Sequence, residues 1–445
     1  MTSPLANPNF RWLFSAQVFS LVGTGLLTVA LSLAAFSIGG VKAAGQVLGV
    51  IFALKMVAYV GIAPLIEAVL SGVNRKIALV SLDFGRLLLL VLMAFTENTY
   101  QIVLLSFVFF VLSAGFTPLY QSVIPDVVPE KDAYARALSW SRIAYTLESI
   151  LSPTIAVALL TFITGSFLFL VAALALIGSI FALAVASFPP RVSDVSKKPF
   201  IQRVFKGMSI YIKTPRLKGL FLLNFALSLA MAWVFVNTVV YSGLRLGSSE
   251  TYFPILMGFY GLGAALGASI VPRVVARLGE RRTMSSGTFL FAAVGCFFSV
   301  LQNPTIWLLS VIWVGFGIAS SLVLTPGGLV LTRSAQAKDR AAVFAAQFSL
   351  SHAGWLVAYP LAGWAATWVS LEAAAFVLSA LCVVMTILAL QVWPSHDPLE
   401  REHSHPELPS NHPHLRDPVA NGANHRHFHA YTIDNLHPNW VDNPT

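Results

Sequence analysis

One hydrophobic pattern occurs twice in this chain, at an offset of about 207 residues. Pro8-Asn9-Phe10-Arg11-Trp12-Leu13-Phe14 returns as Pro215-Arg216-Leu217-Lys218-Gly219-Leu220-Phe221, position by position. Arg75 returns as Arg282, Lys131-Asp132 as Lys338-Asp339, and Pro153 as Pro360. Each copy carries six long apolar stretches. A chain built this way must fold as two like halves, each burying a similar set of apolar segments.

The segments are too apolar for a water-soluble core. Hydrophobic residues make up 56% of the chain and charged residues 11%, with a mean hydropathy of +0.75. Apolar runs of about 20 residues cross a bilayer as helices. They fall near 12–38, 46–66, 77–96, 101–122, 137–160, 166–187, 219–243, 252–274, 284–301, 305–328, 342–367 and 370–392. Only helices satisfy so much backbone inside lipid. The expectation is an all-α membrane protein of twelve transmembrane helices in two six-helix, pseudo-symmetric halves. Its parts are an N-terminal half (1–187), a linker (188–218), a C-terminal half (219–393) and a tail (394–445). Parallel six-span repeats are a signature of secondary transporters, whose site lies between the repeats near the bilayer midplane.

The net charge of +9 reads as topology rather than as a nucleic-acid surface. Lys and Arg collect in alternate connections: Arg75 and Lys76; Lys131 and Arg136; Arg273, Arg277, Arg281 and Arg282; Arg333, Lys338 and Arg340; and the central linker. The opposite connections hold little beyond Lys42 and Arg245. By the positive-inside rule both termini are cytoplasmic, and the expected location is the bacterial inner (plasma) membrane. The first apolar run is too long for a cleavable signal, and Arg11 directly precedes it. The two cysteines, Cys296 and Cys382, sit in apolar spans and read as packing residues.

Residues 200–212 of the linker alternate apolar and basic residues at helical spacing, which suggests an amphipathic surface helix; a solvated linker is the alternative. From Pro394 the composition turns polar and Pro-rich, and the tail is expected to be disordered. Nine of the ten histidines lie there: His396, His403, His405, His412, His414, His425, His427, His429 and His437. The closing Tyr431 to Trp440 stretch is less biased and is a candidate docking segment.

These residues resemble the major facilitator superfamily over residues 9–393. That family carries Gly-x-x-x-Asp-Arg-x-Gly-Arg-Arg after its second helix. Ala276-Arg277-Leu278-Gly279-Glu280-Arg281-Arg282 is similar to it with one residue inserted, whereas Ser71-Gly72-Val73-Asn74-Arg75-Lys76 keeps the basic pair alone. Ser71 stands where the family has the Asp that latches its cytoplasmic gate, which leaves Asp83 or Glu67 as replacements. Asp83-Phe84-Gly85-Arg86 and Ile124-Pro125-Asp126 resemble the siderophore-exporter branch. The resemblance thus implies a cytoplasmic gate of Arg75, Lys76, Asp83, Arg86, Arg281 and Arg282; topology and helix-end solvation would account for the same charges. Glu148 to Ala156, around Pro153, resembles weakly the helix-5 motif of antiporters and implies export.

Two ionisable residues fall near mid-span, Lys55 and Glu148. A charge at the bilayer centre costs about 2.5–3.5 kcal/mol, so such residues face water or a partner. A partly desolvated carboxyl can load and release a proton near neutral pH, which makes Glu148 the candidate proton-coupling residue. Lys55 would hold an anionic group or act as the counter-charge of Glu148. His352 is the only histidine in a predicted span, opposite Tyr145 in the repeat register. Gln17 and Asn224 are repeat equivalents, and the resemblance places their helices along the cavity. The substrate-cavity set is therefore Gln17, Lys55, Tyr145, Asn224 and His352; interhelical hydrogen bonding explains the amides and the histidine equally well.

Clustered imidazoles suit nickel or zinc, and His403, His405, His412, His414, His425, His427 and His429 are candidate metal ligands. The tail is similar to those of nickel-resistance exporters. No resident cofactor and no enzymatic activity are expected, because nucleophile–base pairs and phosphate loops are lacking. The reading is a monomeric, proton-coupled exporter in the lipid bilayer. Its cargo is an amphipathic organic compound or a divalent transition metal such as nickel. A non-transporting receptor or scaffold with a metal-sensing tail is the other class.

Overall fold

The computed structural model describes residues 4–62, 73–128, 130, 133, 137, 140–141, 144, 152, 154–156, 158–188, 200–336, 339–398, 400–404, 426–434 and 436–440. In the first half α1 (Pro8–Gly40), α2 (Ala43–Ile62), α3 (Arg75–Ala94), α4 (Thr99–Val127) and α6 (Phe167–Val185) span the bundle. Helical residues between 133 and 160 mark α5, of which only part is described. The second half holds α7 (Pro215–Leu246), a run Ser249–Ser299 that Gly279 divides into α8 and α9, α10 (Ile306–Leu324), α11 (Arg340–Trp368) and α12 (Leu371–Val392). The expected twelve-helix architecture is the one observed.

Local chemistry shows why the repeat is structural. Pro8 and Pro215 both open their helices in the first turn, where a missing N–H costs nothing. The Asn7 side chain accepts from the Asn9 and Phe10 N–H groups, capping α1. One repeat apart, Gly40 (φ 63°) and Gly247 (φ 85°) end α1 and α7 in the left-handed region that side-chain-bearing residues avoid. Asn98 and Thr305 cap the equivalent starts of α4 and α10.

Several expected spans shift. The expected 12–38 and 219–243 extend to Pro8–Gly40 and Pro215–Leu246, because helical bonding continues past the apolar run. The span expected at 305–328 is interrupted at Thr325-Pro326, and α10 resumes as Gly327–Arg333. Pro326 has no N–H to donate, so one bond of the ladder is missing there although Thr325 and Pro326 both keep right-handed helical geometry.

Each half is bound mainly within itself, α1 and α3 against α6, and α7 against α12. The halves meet on the face opposite the linker. A Cβ on Gly363 of α11 would stand 2.4 Å from the Gly45 carbonyl oxygen of α2, and one on Gly49 would stand 2.9 Å from that of Tyr359. Phe36 of α1 likewise fills the space over Gly243 of α7. Hydrogen bonds between the halves include Gln46 Nε2 to Thr367 Oγ1 (3.1 Å) and the Gly165 N–H to Glu250 Oε1 (3.3 Å). Both lie on that far face.

The linker contains a helix, Phe200–Lys213. It packs on the start of α11, with Lys206 paired to Asp339, the Tyr211 hydroxyl bonded to Gln347, and Gly207 against Ala342. Phe205 and Ile212 are left exposed, as the amphipathic pattern suggested.

Of the tail, 394–398, 400–404, 426–434 and 436–440 are described, and the expectation of disorder for 405–425 and 441–445 lies outside the described residues. Among its described residues β1 (Glu400–Ser404) and β2 (Arg426–Ala430) pair antiparallel. Tyr431, Ile433 and His437 are buried, so the candidate docking segment is docked. What holds this segment is charge and hydrogen bonding to the second half. Gln336 donates to Asp434 at 2.6 Å. Burial works to raise the Asp434 pKa, but hydrogen bonds from His437 and Leu436 and the nearby His437 ring hold the carboxyl below its ordinary range.

The paired cysteine variants Gln46→Cys and Thr367→Cys should crosslink under mild oxidation, read as a gel shift. Adding Gly363→Leu should abolish most of that crosslink, because its side chain forces α2 and α11 apart. An undiminished yield would show that the glycine contact does not hold this face closed.

Candidate functional site

Between the halves, α2, α4 and α11 bring Lys55 and His352 into one aromatic group. Lys55 and Tyr59 lie one turn apart on α2 and therefore share a face. The Lys55 ammonium stands 5.4 Å from the Phe110 ring centroid on α4 and 6.0 Å from that of Tyr59. Such cation–π contacts contribute about 0.5–2 kcal/mol each. The Tyr59 ring lies 5.8 Å from His352 of α11, and Phe348 packs tilted against His352 with ring centroids 4.0 Å apart. Lys55, Tyr59 and His352 are each only partly buried. This spot, joining one half to the other, carries a cation and an imidazole within an aromatic lining.

His352 Nδ1 lies 2.7 Å from the Phe348 carbonyl oxygen. A carbonyl can only accept, so Nδ1 carries the proton and a neutral ring keeps its Nε2 lone pair for another partner. Further along α11, Trp355 stacks on Tyr359 (4.9 Å), and Tyr359 meets Phe52 of α2 (5.1 Å). Phe235 of α7 links Trp355 to Tyr260 of α8, whose hydroxyl lies 3.0 Å from Ser320 Oγ on α10. The spacing along α11 from Phe348 through His352 and Trp355 to Tyr359 is one helical stripe. Chemically the site suits an anionic head group on a flat, apolar body.

The other expected cavity residues are placed differently. Glu148 and Tyr145 lie outside the described residues. Gln17 is buried at 3% exposure, its Oε1 without a partner among the described residues. Asn224 donates back to the Leu220 carbonyl of its own helix at 2.8 Å. Contacts among the described residues join neither amide to Lys55 or His352. Nor are the expected metal ligands described as a site: His405, His412, His414 and His425 lie outside the described residues, and His403, His427 and His429 are described only through their strands.

The gate residues are placed within single halves. Arg75 pairs with Asp126 at the end of α4, 2.5 Å away, so Asp126 supplies a carboxylate where Ser71 cannot; Glu67 lies outside the described residues. Lys76 donates to the Ala184 and Ala186 carbonyls at the end of α6 (2.5 and 2.9 Å). Arg281 does the same for Leu390 and Trp393 at the end of α12 (2.8 and 2.7 Å). Cations belong at helix C-termini, where unpaired carbonyls point outward. Arg282 is exposed.

Asp83 and Arg86 depart from a place at the gate. They form a fully buried ion pair inside the first half, 0% and 2% exposed. Ser179 of α6 donates to Asp83 at 2.6 Å, and Arg86 donates to Ser20 of α1 at 3.0 Å while lying over the Phe116 ring at 4.3 Å. The pair starts a third turn into α3, which puts it inside the bundle. The clue in the sequence was its i, i+3 spacing within an apolar run.

A six-helix unit repeated once to make a twelve-helix bundle, with a lysine and a histidine among aromatic rings where the halves meet, is the architecture of a secondary transporter. The sequence pattern of the Major Facilitator Superfamily matches residues 13–247 and 220–429, and the chain belongs to that superfamily. Solved structures share the fold. The nucleoside transporter NupG aligns with TM-score 0.67 and 11% identity over 87% of this chain and 100% of its own. A POT family transporter in complex with 5-aminolevulinic acid gives 0.68 and 13% over 86% and 96%. A bacterial homolog of the human lysosomal transporter Spinster, inward-facing and unoccupied, gives 0.65 and 14% over 88% and 96%. At such identities the likeness concerns the fold. No curated protein matches the chain.

Removing one partner of a buried ion pair costs about 3–5 kcal/mol, whereas replacing both with apolar groups is often near neutral. Asp83→Asn alone should therefore lower the melting temperature of the detergent-solubilised protein sharply. The double variant Asp83→Leu with Arg86→Met should recover most of the loss. Equal melting of single variant and wild type would remove the pair from the stability of the first half.

Proposed function

We propose that this protein is a proton-coupled exporter of a small amphipathic organic anion across the bacterial inner membrane. The observation that carries the reading is the Lys55–His352 group, placed among aromatic rings where the two halves meet. An ammonium supplies charge recognition of an anion, His352 Nε2 accepts a hydrogen bond, and the rings cover an apolar body. With the basic connections assigned to the cytoplasm, the Gly45–Gly363 contact closes the outer face and the site is approached from inside. Glu148, a mid-span carboxyl, is the proton carrier in this reading. Movement of the halves about their contact then exchanges proton for solute.

A second reading takes a divalent metal such as nickel as cargo, favoured by the nine tail histidines. Lys55 tells against it at the interface, since an ammonium repels a bare cation. The relatives named above transport nucleosides or bind 5-aminolevulinic acid, small polar organic solutes that this fold can accommodate.

A deletion strain challenged with organic acids, aromatic toxicants and metal salts separates the two cargoes. With a cargo found, Lys55→Gln should raise its Kd by about tenfold to a hundredfold, the range of a lost charge-assisted hydrogen bond. In proteoliposomes Glu148→Gln should bind the cargo and lose flux driven by a pH gradient. Sensitivity to nickel alone, with unchanged tolerance of every organic compound, would overturn the organic-anion reading.

A further inference from the structure

Asn237 lies under the seam where the two halves touch. Its side chain is fully buried on α7, and its Nδ2 donates to the Ala362 carbonyl of α11 at 3.0 Å. A carbonyl can only accept, so the orientation of the amide is fixed and Oδ1 is left for the other side. That oxygen stands against α2, where a Cβ on Gly45 would lie 2.9 Å from it. Ala362 directly precedes Gly363, whose own Cβ would stand 2.4 Å from the Gly45 carbonyl oxygen. One amide therefore touches both sides of the backbone contact. Among the described residues its Oδ1 has no hydrogen-bond partner.

The repeat sets this residue apart. Its equivalent in the first half is Ala30, which is also fully buried. A small apolar side chain suffices there, whereas the second half carries an acceptor that must be desolvated. A cavity of about 550 Å³ lies beside the seam, with Gln46, Asn237, Leu244, Thr367 and Leu371 in its lining. Asn237 borders this cavity yet has no exposed surface, and α2 covers its Oδ1. Parting α2 from α11 would join the oxygen to the cavity and to water.

Closing the seam takes an amide oxygen out of water and offers it a glycine backbone in return, at best a weak C–H···O contact. Opening reverses the exchange. An interaction that differs between two arrangements is what shifts the equilibrium between them, and a secondary transporter must pass from one to the other. We propose that Asn237 is a positioning residue of the transport cycle, whose buried Oδ1 opposes closure of the far face and keeps the open arrangement accessible. The role follows from the seam and asks nothing of the cargo, of Lys55 or of Glu148.

The test uses full-length protein in nanodiscs, spin-labelled at Ser37→Cys and Val369→Cys, one on each half at that face. Cys296→Ser and Cys382→Ser leave these as the two labels. Pulsed electron-spin distance measurement then gives the ratio of open to closed molecules. Asn237→Leu, apolar and of similar size, should lower that ratio by about fivefold to a hundredfold, the equivalent of relieving one unpaired buried polar group. Asn237→Ala, which cannot clash, should move it the same way. Asn237→Asp should raise it, because a carboxylate loses more on burial than an amide. Each variant is also measured with Gly363→Ala, whose added methyl group props the seam and keeps both populations visible. An amide that merely ties the seam together gives the opposite sign for the Leu and Ala variants, since losing a tie opens the face. Opening in those two variants, or ratios unchanged by all three in the Gly363→Ala background, would overturn the proposal. Cargo enters none of these measurements, so failure here leaves the export reading untouched, and the reverse holds too.

Discussion

Contact between the two halves depends on backbone touching backbone. Where Gly45 and Gly49 of α2 meet Gly363 and Tyr359 of α11, backbone lies on backbone, with Asn237 Oδ1 of α7 closing on Gly45 beside it. Lipid supplies no hydrophobic drive between helices, so close packing over small residues takes its place. The hydrogen bonds Gln46–Thr367 and Gly165–Glu250 supplement it.

Charge is arranged to the same end. Asp83 with Arg86, and Arg75 with Asp126, pair inside the first half; Arg281 and Arg333 are satisfied by carbonyls and carboxylates of the second half and its tail. A buried charge left alone would cost several kcal/mol, so each of these pairs stiffens its own half. Polar groups near mid-membrane at the junction, Lys55 and His352, are instead partly exposed and set among rings.

The tail extends this logic beyond the bilayer. Its polar, histidine-rich composition lacks an apolar core of its own, yet Trp440, Tyr431 and Asp397 close over Arg216 and Arg333. An arginine buried at the start of α7 would be uncompensated without them. The second half is thus completed by a segment that the repeat itself does not contain.

The repeat, the twelve spans and the alternation of basic loops were legible in the sequence, because hydropathy and helix length are local properties that lipid enforces segment by segment. Pairing was not legible. Asp83 and Arg86 read as loop-edge charges until α1, α4 and α6 closed round them, and Asp126 and Asp397 gained meaning only beside Arg75 and Arg333. Lys55 and His352 were visible as mid-span polar residues, but their meeting across α2 and α11 depends on how the halves dock. Composition reports what each segment must avoid in lipid or water; which partner compensates a buried charge is decided by distances between residues far apart in the chain, and those exist only in the folded molecule.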